Sequence, residues 1–316
     1  MAIITAGNAT NLIDSVDQRT QLVGKNRLEL LLFRLQGAQR FGINVFKIRE
    51  VIQCPALNRL PDSHPSIEGV ITIRGITIPV INLRKALNYP AKSEAKSQFI
   101  IISEYNRSVH GFLVEAVERI INIKWETVMA PPKGIGKGSY MTAVTDIDGH
   151  LVEIIDVEKV LVEVTGDQSE VSQELLDNHG KITSKVRHVL VVEDSSVARK
   201  QIKRTLDSID VESSYTCDGI EALEFLNAMI EDGGAIDDKL AMVIADIEMP
   251  RMDGYTLTKK IKEHPALKNV YVLLHTSLSG GFNEALVKKV GADAFIPKFQ
   301  SDELATAIME RFSLLS

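Results

Sequence analysis

The chain has 316 residues and a mass of 34.9 kDa, more than one hydrophobic core usually organises, so two globular domains are expected. With 45% apolar and 25% charged residues, and no apolar run near the roughly 18 residues that span a bilayer, a helical membrane protein is excluded. Two cysteines, Cys54 and Cys217, build neither a disulfide framework nor a cysteine zinc site. A reducing cytoplasm is the expected location, and the opening MAIITAGNAT lacks the basic flank of a secretory signal. Residues 1–165 carry a net +2 and residues 188–316 a net −7. An acidic half without a Lys/Arg stripe argues against nucleic acid and suits a cation.

In chain order, residues 1–26 hold a short amphipathic segment, Leu12 to Val16. Residues 27–164 read as short β runs: LELLLFRL, FGINVF, GVITIRGITIPVINL, FIIISEY, HGFLVEAV and YMTAVTDIDGHLVEIIDV. The pairs Arg74-Gly75, Asn106-Arg107 and Asp148-Gly149 sit where two-residue hairpin turns are expected, and hairpins predict antiparallel sheet. FGINVFKIREVI recurs as HGFLVEAVERII, and ITIPVINLRKAL as HLVEIIDVEKVL. Two related β subdomains are expected, with Asn82 equivalent to Asp156 and Leu87 to Leu161. The loop PPKGIGKGSY has glycines beside lysines, but a β run follows it and the GK[ST] order is absent, so it is no phosphate cradle.

TGDQSEVSQELLDNHGKITSKVR, residues 165–187, is too polar to bury a core and reads as a connector. Val171, Leu175 and Leu176 lie at helical spacing within it. From His188 onward five apolar strands alternate with five helical segments, which predicts a parallel sheet covered on both faces, with its site at the strands' carboxyl ends.

The first of these strands ends in Glu193-Asp194, the third in Asp246, the fourth in Thr276-Ser277 and the fifth in Lys298. Three converging carboxylates repel unless a cation joins them, and hard oxygen ligands with room for water suit Mg2+, to which the backbone carbonyl of Glu248 could add. A metal, an ammonium and a hydroxyl around one carboxylate nucleophile are what phosphoryl transfer needs, and Asp246 is the best candidate nucleophile.

VVEDS, DIEMPRMDG, LLHTS and FIPKF together make residues 188–316 resemble response-regulator receiver domains. The resemblance implies a flavodoxin-like, doubly wound five-stranded sheet. It implies Asp246 as phospho-acceptor, Glu193 and Asp194 as metal ligands, Thr276 as switch hydroxyl, Lys298 as oxygen-binding lysine and Phe295 as switch aromatic. Two departures stand out: Phe299 follows Lys298 where that family usually has proline, and Ser277 replaces the usual alanine. RFGINVFKIREVI, LPDSHPSIEGVITIRGITIPVINLR and DGHLVEIIDVEKVL make residues 27–163 resemble the CheW family of chemotaxis coupling proteins. That implies an all-β unit of paired five-stranded SH3-like barrels which binds the histidine kinase CheA and the cytoplasmic tips of chemoreceptors. Arg74, Glu50, Ile48 and Val45 match its partner-contact segments. The two units in this order resemble the CheV family of chemotaxis adaptors, a non-enzymatic, phosphorylation-regulated scaffold recruited to membrane-bound receptor arrays.

A phosphatase of the haloacid-dehalogenase kind would want a second Asp where Glu248 stands, and a transcription regulator would want a basic helical domain where residues 27–164 are β and near neutral. The seven histidines form no metal-ligand pair; His275 reads as a buried strand-end residue and Trp125 as packing.

Overall fold

The computed structural model describes residues 27–90, 99–105, 108–129, 131, 140–166, 170–178, 186–276, 288–298 and 300–315. Leu12 to Val16, the Asn106-Arg107 turn, the glycines of the PPKGIGKGSY loop, Ser277 and Phe299 lie outside these residues.

In the first half, β1 (Arg27–Arg34), β2 (Arg40–Asn44) and a 3-10 turn (Val45–Lys47) lead to β3 (Glu50–Gln53). The hairpin β4 (Ile67–Ile73) and β5 (Ile76–Asn82) then runs into α1 (Leu83–Ala86). The pattern repeats as β6 (Phe99–Tyr105), β7 (Ser108–Val114), β8 (Ala116–Lys124), the short β9 (Val128–Met129), β10 (Met141–Ile147), β11 (His150–Ile155) and α2 (Val157–Thr165). The repeat read from the sequence is reproduced at its caps. Asn82 accepts from the Lys85 amide at 3.1 Å and Asp156 from the Lys159 amide at 3.0 Å, each fixing the first turn of its helix. The described hairpin tips also agree: Arg74 and Gly75 have φ of 51° and 82°, Asp148 and Gly149 of 56° and 75°, the double positive φ of a type I′ turn.

The paired β subdomains expected from the repeat are present, while the expectation of antiparallel sheet is amended in the way the strands are shared. Each sheet is mixed, because β2 runs parallel to β11 and β5 parallel to β7. The sheets also draw strands from both repeats: β8-β1-β2-β11-β10-β9 in one and β3-β6-β7-β5-β4 in the other. The first therefore has six strands, counting the two-residue β9, where five were expected. Each repeat thus supplies strands that complete its partner's sheet. The result is one apolar centre between the sheets, built on Phe33, Phe41, Phe112, Leu83 and Leu161, flanked by a smaller core inside each. Trp125 packs against the core of Leu28, Leu30 and Leu32, as expected.

Past α2, the connector contains α3 (Gln173–Asn178). Val171, Leu175 and Leu176 pack on the core of the second half, and the Ser172 amide donates to Asp302 at 2.7 Å, so the described part of the connector is seated on that half.

The second half runs β12 (His188–Val192), α4 (Ser196–Ser208), β13 (Glu212–Thr216), α5 (Gly219–Glu231), β14 (Met242–Asp246), α6 (Gly254–Glu263), β15 (Val272–Thr276), β16 (Ala294–Pro297) and α7 (Ser301–Ser313). Its sheet is wholly parallel in the order β13-β12-β14-β15-β16. On one face Leu190 and Val192 meet Leu226 of α5 and Leu257 of α6; on the other Val189 and Val191 meet Ile202 of α4 and Ile308 of α7. The strand order reverses between β12 and β14, the place where such sheets open a crevice at their carboxyl ends.

Asn82→Ala, which removes the α1 cap, is expected to lower the first unfolding transition in urea by about 1 kcal/mol; an unchanged midpoint would show that packing alone holds α1.

Candidate phospho-acceptor site

Glu193 and Asp194 follow β12 and Asp246 closes β14, so the crevice collects three carboxylates whose ligand atoms all lie within 4.8 Å of one another. Lys298, one residue past β16, is 2% exposed and bridges two of them, at 2.7 Å to Asp246 Oδ2 and 2.9 Å to Glu193 Oε2. Burial opposes its charge, but Asp246 and Glu193 outweigh that and hold the ammonium firmly protonated. The backbone fixes Lys298 too, its amide donating to the Thr276 carbonyl at 2.7 Å.

Around this bridge the oxygens are unequally satisfied. Glu193 Oε1 accepts from the Ser195 amide at 3.1 Å, and Ser195 caps α4 through the Ala198 amide at 3.3 Å. Asp246 Oδ1 is buried without a hydrogen-bond partner. A buried carboxylate oxygen left open beside two further carboxylates fits a hard divalent cation such as Mg2+. Glu248 is half-buried, and both its carboxylate oxygens are shielded from solvent without a hydrogen-bond partner; burial pushes it up to about 8.

The loop after β14 carries Asp246 in place. Ile247 and Met249 are buried in the core. Arg251, in a left-handed conformation at φ 57°, pairs with Asp218 and, at 2.8 Å, with Glu221 of α5. Gly254 opens α6 against the backbone of Asp246, where a Cβ would run into the Asp246 carbonyl. Sequence reading did not single out Gly254 or Arg251, although the DG of DIEMPRMDG was there to see.

Thr276 ends β15 fully buried, and Phe295 of β16 packs partly buried on the core of that face. Burial, aided by Lys298, pushes His275 down to about 3, a neutral strand-end residue as expected. The structure thus brings Glu193, Asp194, Asp246, Thr276 and Lys298 to one rim. It divides the partner-contact candidates of the first half. Arg74, 75% exposed, pairs with Glu50 at 3.1 Å, while Val45 and Ile48 pack against the central core.

Burial, with Asp246 nearby, raises Asp194 from 3.8 to about 7. A carboxyl raised by folding stabilises only while protonated, so its contribution is whole below about pH 4 and gone above about pH 7. With metal chelated, scanning calorimetry from about pH 5 to pH 8 should show falling stability, and Asp194→Asn should flatten the slope by several degrees of Tm, since about 1 kcal/mol moves Tm that much. Equal slopes would remove Asp194 as the source.

Comparison with known proteins agrees with this division. Residues 29–165 match the CheW-like domain and residues 189–309 the response regulator receiver domain. Chemotaxis protein CheV3 of Helicobacter pylori is 30% identical over 300 residues, covering 90% of this chain and 94% of that protein. CheV1 of the same organism is 29% identical over 320 residues, covering 95% and 98%. The crystal structure of the scaffolding protein TtCheW from Thermoanaerobacter tengcongensis covers 40% of this chain and 83% of its own, at 27% identity and a TM-score of 0.37. With both halves matched in order and relatives aligned almost end to end, the chain belongs to the CheV family of chemotaxis proteins, a CheW-like domain followed by a response regulator receiver domain.

Proposed function

We propose that residues 27–164 join chemoreceptors to the histidine kinase CheA, that residues 165–187 connect, and that residues 188–316 receive a phosphoryl group on Asp246 which adjusts the coupling. The observation that carries this reading is Asp246 itself, with one oxygen held by Lys298 and the other buried and unpartnered beside two acidic neighbours, in a chain whose other half is CheW-like.

Mg2+, held by Glu193, Asp194, Asp246 and the Glu248 carbonyl, would neutralise charge on the phosphoryl oxygens. An Asp246 oxygen attacks phosphorus, the P–N bond of a phosphohistidine breaks, and its electron pair leaves on the imidazole nitrogen. Lys298 is placed to follow the new charge onto a phosphoryl oxygen, the Thr276 hydroxyl donates to another, and Phe295 moves with Thr276 into the space this opens. Water attacking the acyl phosphate at phosphorus returns the carboxylate and inorganic phosphate. The chain works by binding and by changing shape, and it draws its recruitment to receptor arrays from the coupling half.

A small phosphoryl donor with Mg2+ should label the protein, and Asp246→Asn should abolish the label in mass spectrometry of the intact chain; retained labelling would move the acceptor elsewhere. In the first half, the Arg74–Glu50 pair is the exposed charged feature among the residues matched to partner contacts. Arg74→Glu places two carboxylates together at a hairpin tip, and is expected to weaken kinase or receptor binding by roughly tenfold with the circular dichroism unchanged. Wild-type affinity for both partners would make Arg74 a bystander.

A further inference from the structure

A connector as polar as residues 165–187 has few means of holding to a domain, yet its described part does so at one defined place. Val171, Leu175 and Leu176 are half-buried against the receiver core that α4 and α7 share, a core that includes Ile202, Leu206 and Ile308. Among them Ser172 uses its backbone twice. Its carbonyl accepts from the amides of Leu175 and Leu176 at 3.1 and 3.2 Å, which starts α3. Its amide donates to Asp302 Oδ1 at 2.7 Å, which fastens that start to the receiver. A carboxylate acceptor makes this a short, charge-assisted bond. Ser172 and Asp302 are themselves exposed, so the bond fixes the position of the connector while the three apolar side chains supply the buried surface.

The point of attachment matters because of what stands just before it in the chain. Asp302 lies in the first turn of α7, four positions after Lys298. Lys298 is gripped at both ends, its ammonium by Asp246 and Glu193 and its amide by the Thr276 carbonyl at 2.7 Å. A displacement of the ammonium, or of the Thr276 end of β15, therefore reaches Asp302 through one hydrogen bond and a short stretch of backbone. The Ser172–Asp302 bond tolerates little of it, since good N–H···O bonds end at about 3.2 Å, about half an ångström beyond its present length. The fastening also sets how far the coupling half can move. With Ser172 held, six residues, 166–171, join the end of α2 to the receiver, a reach of at most about 25 Å. With α3 lifted off, the tether runs on to Val186, which packs on the same core, and its limit rises to about 70 Å.

We propose that residues 171–176 form a latch on the receiver, closed in the unphosphorylated chain and opened by phosphorylation of Asp246, so that the phosphoryl group sets the length of the tether holding the coupling half. This role rests on the reading of Asp246 as phospho-acceptor for its trigger, and on the Ser172–Asp302 bond and the apolar seat for its geometry. Phosphorylation takes the Lys298 ammonium off the carboxylates and draws Thr276 toward the new oxygens, and both movements pull on the chain that positions Asp302. Opening breaks one N–H···O bond, whose amide and carboxylate pass to water. The concentration of one half at the other falls roughly as the −3/2 power of tether length, about sixfold between six residues and the twenty of 166–185. By linkage, partners that draw the coupling half away open the latch and favour the phosphorylated form to the same extent.

The test uses the full chain with Mg2+ and beryllofluoride, a phosphoryl mimic that binds an acceptor carboxylate without a transfer step. Adding it should raise amide exchange across residues 171–178 by roughly fivefold or more, the lower end of typical coupling between sites, with exchange in β12 and β14 unchanged as evidence of folding. The maximum dimension in small-angle scattering should grow at the same time. Asp302→Ala, at an exposed position, should raise exchange across 171–178 without the mimic and leave the mimic little to add. Ser172→Pro removes the amide donor from the connector side and should act alike, should Asp302→Ala disturb the start of α7. Wild-type exchange across 171–178 in both variants would show that no latch is there. A mimic that protects residues 244–250 but leaves 171–178 unchanged would cut the latch off from the phosphoryl site; either result overturns the proposal. A mimic that changes neither region would strike the reading of Asp246, and with it the trigger, while the two variants still decide whether the latch exists.

Discussion

A single buried ammonium holds the second half of this molecule in its working form. Lys298 touches Asp246 and Glu193 at once in a crevice that water scarcely enters, and without it three carboxylates would face each other across less than 5 Å in a medium where like charges repel strongly. Its position follows from the sheet. A parallel sheet in this order sends the ends of β12, β14, β15 and β16 to one rim, so residues separated by more than a hundred positions in sequence, Glu193 and Lys298, meet at hydrogen-bond distance. The bridge leaves one oxygen of Asp246 unsatisfied. That unmet bond costs stability, because a buried acceptor without a partner keeps the penalty of its lost hydration.

The connector gives the two halves a physical reason to communicate. With Val171, Leu175 and Leu176 seated on the receiver, it limits how far the coupling half can stray. A tethered contact of this kind needs little intrinsic affinity to be populated, because the tether sets a high effective concentration.

Much of this was legible in the sequence. The carboxylates, Thr276 and Lys298 could be placed because apolar strands of fixed length end where the polarity changes, and a doubly wound sheet leaves no freedom over which strand ends converge. The repeat around Asn82 and Asp156 was legible because a capping side chain is a local requirement. Strand exchange between the repeats was not. Periodicity of two tells which face of a strand is buried but not which neighbour covers its edge, so β2 alongside β11 could not be told from β2 alongside a strand of its own repeat. Val45 and Ile48 read as contact residues by their match to a motif, and they are half-buried against the central core.

Strand exchange has a further consequence for how the chain is made. A ribosome delivers β1 through β5 first, yet β3 must wait for β6, β5 for β7, β1 for β8 and β2 for β11, so one sheet of the coupling half cannot close before Ser108–Val114 has left the exit tunnel, and the other not before His150–Ile155. Until β7 arrives the edge of β5 stands open, and until β11 arrives that of β2, with apolar residues such as Val80, Ile81 and Phe41 beside unpaired backbone groups. The receiver, whose parallel sheet is assembled from consecutive β/α units, carries no such debt to distant segments. The two halves therefore meet the cell's folding machinery on different terms, the first as a nascent chain in need of shelter and the second as a domain able to fold as it emerges.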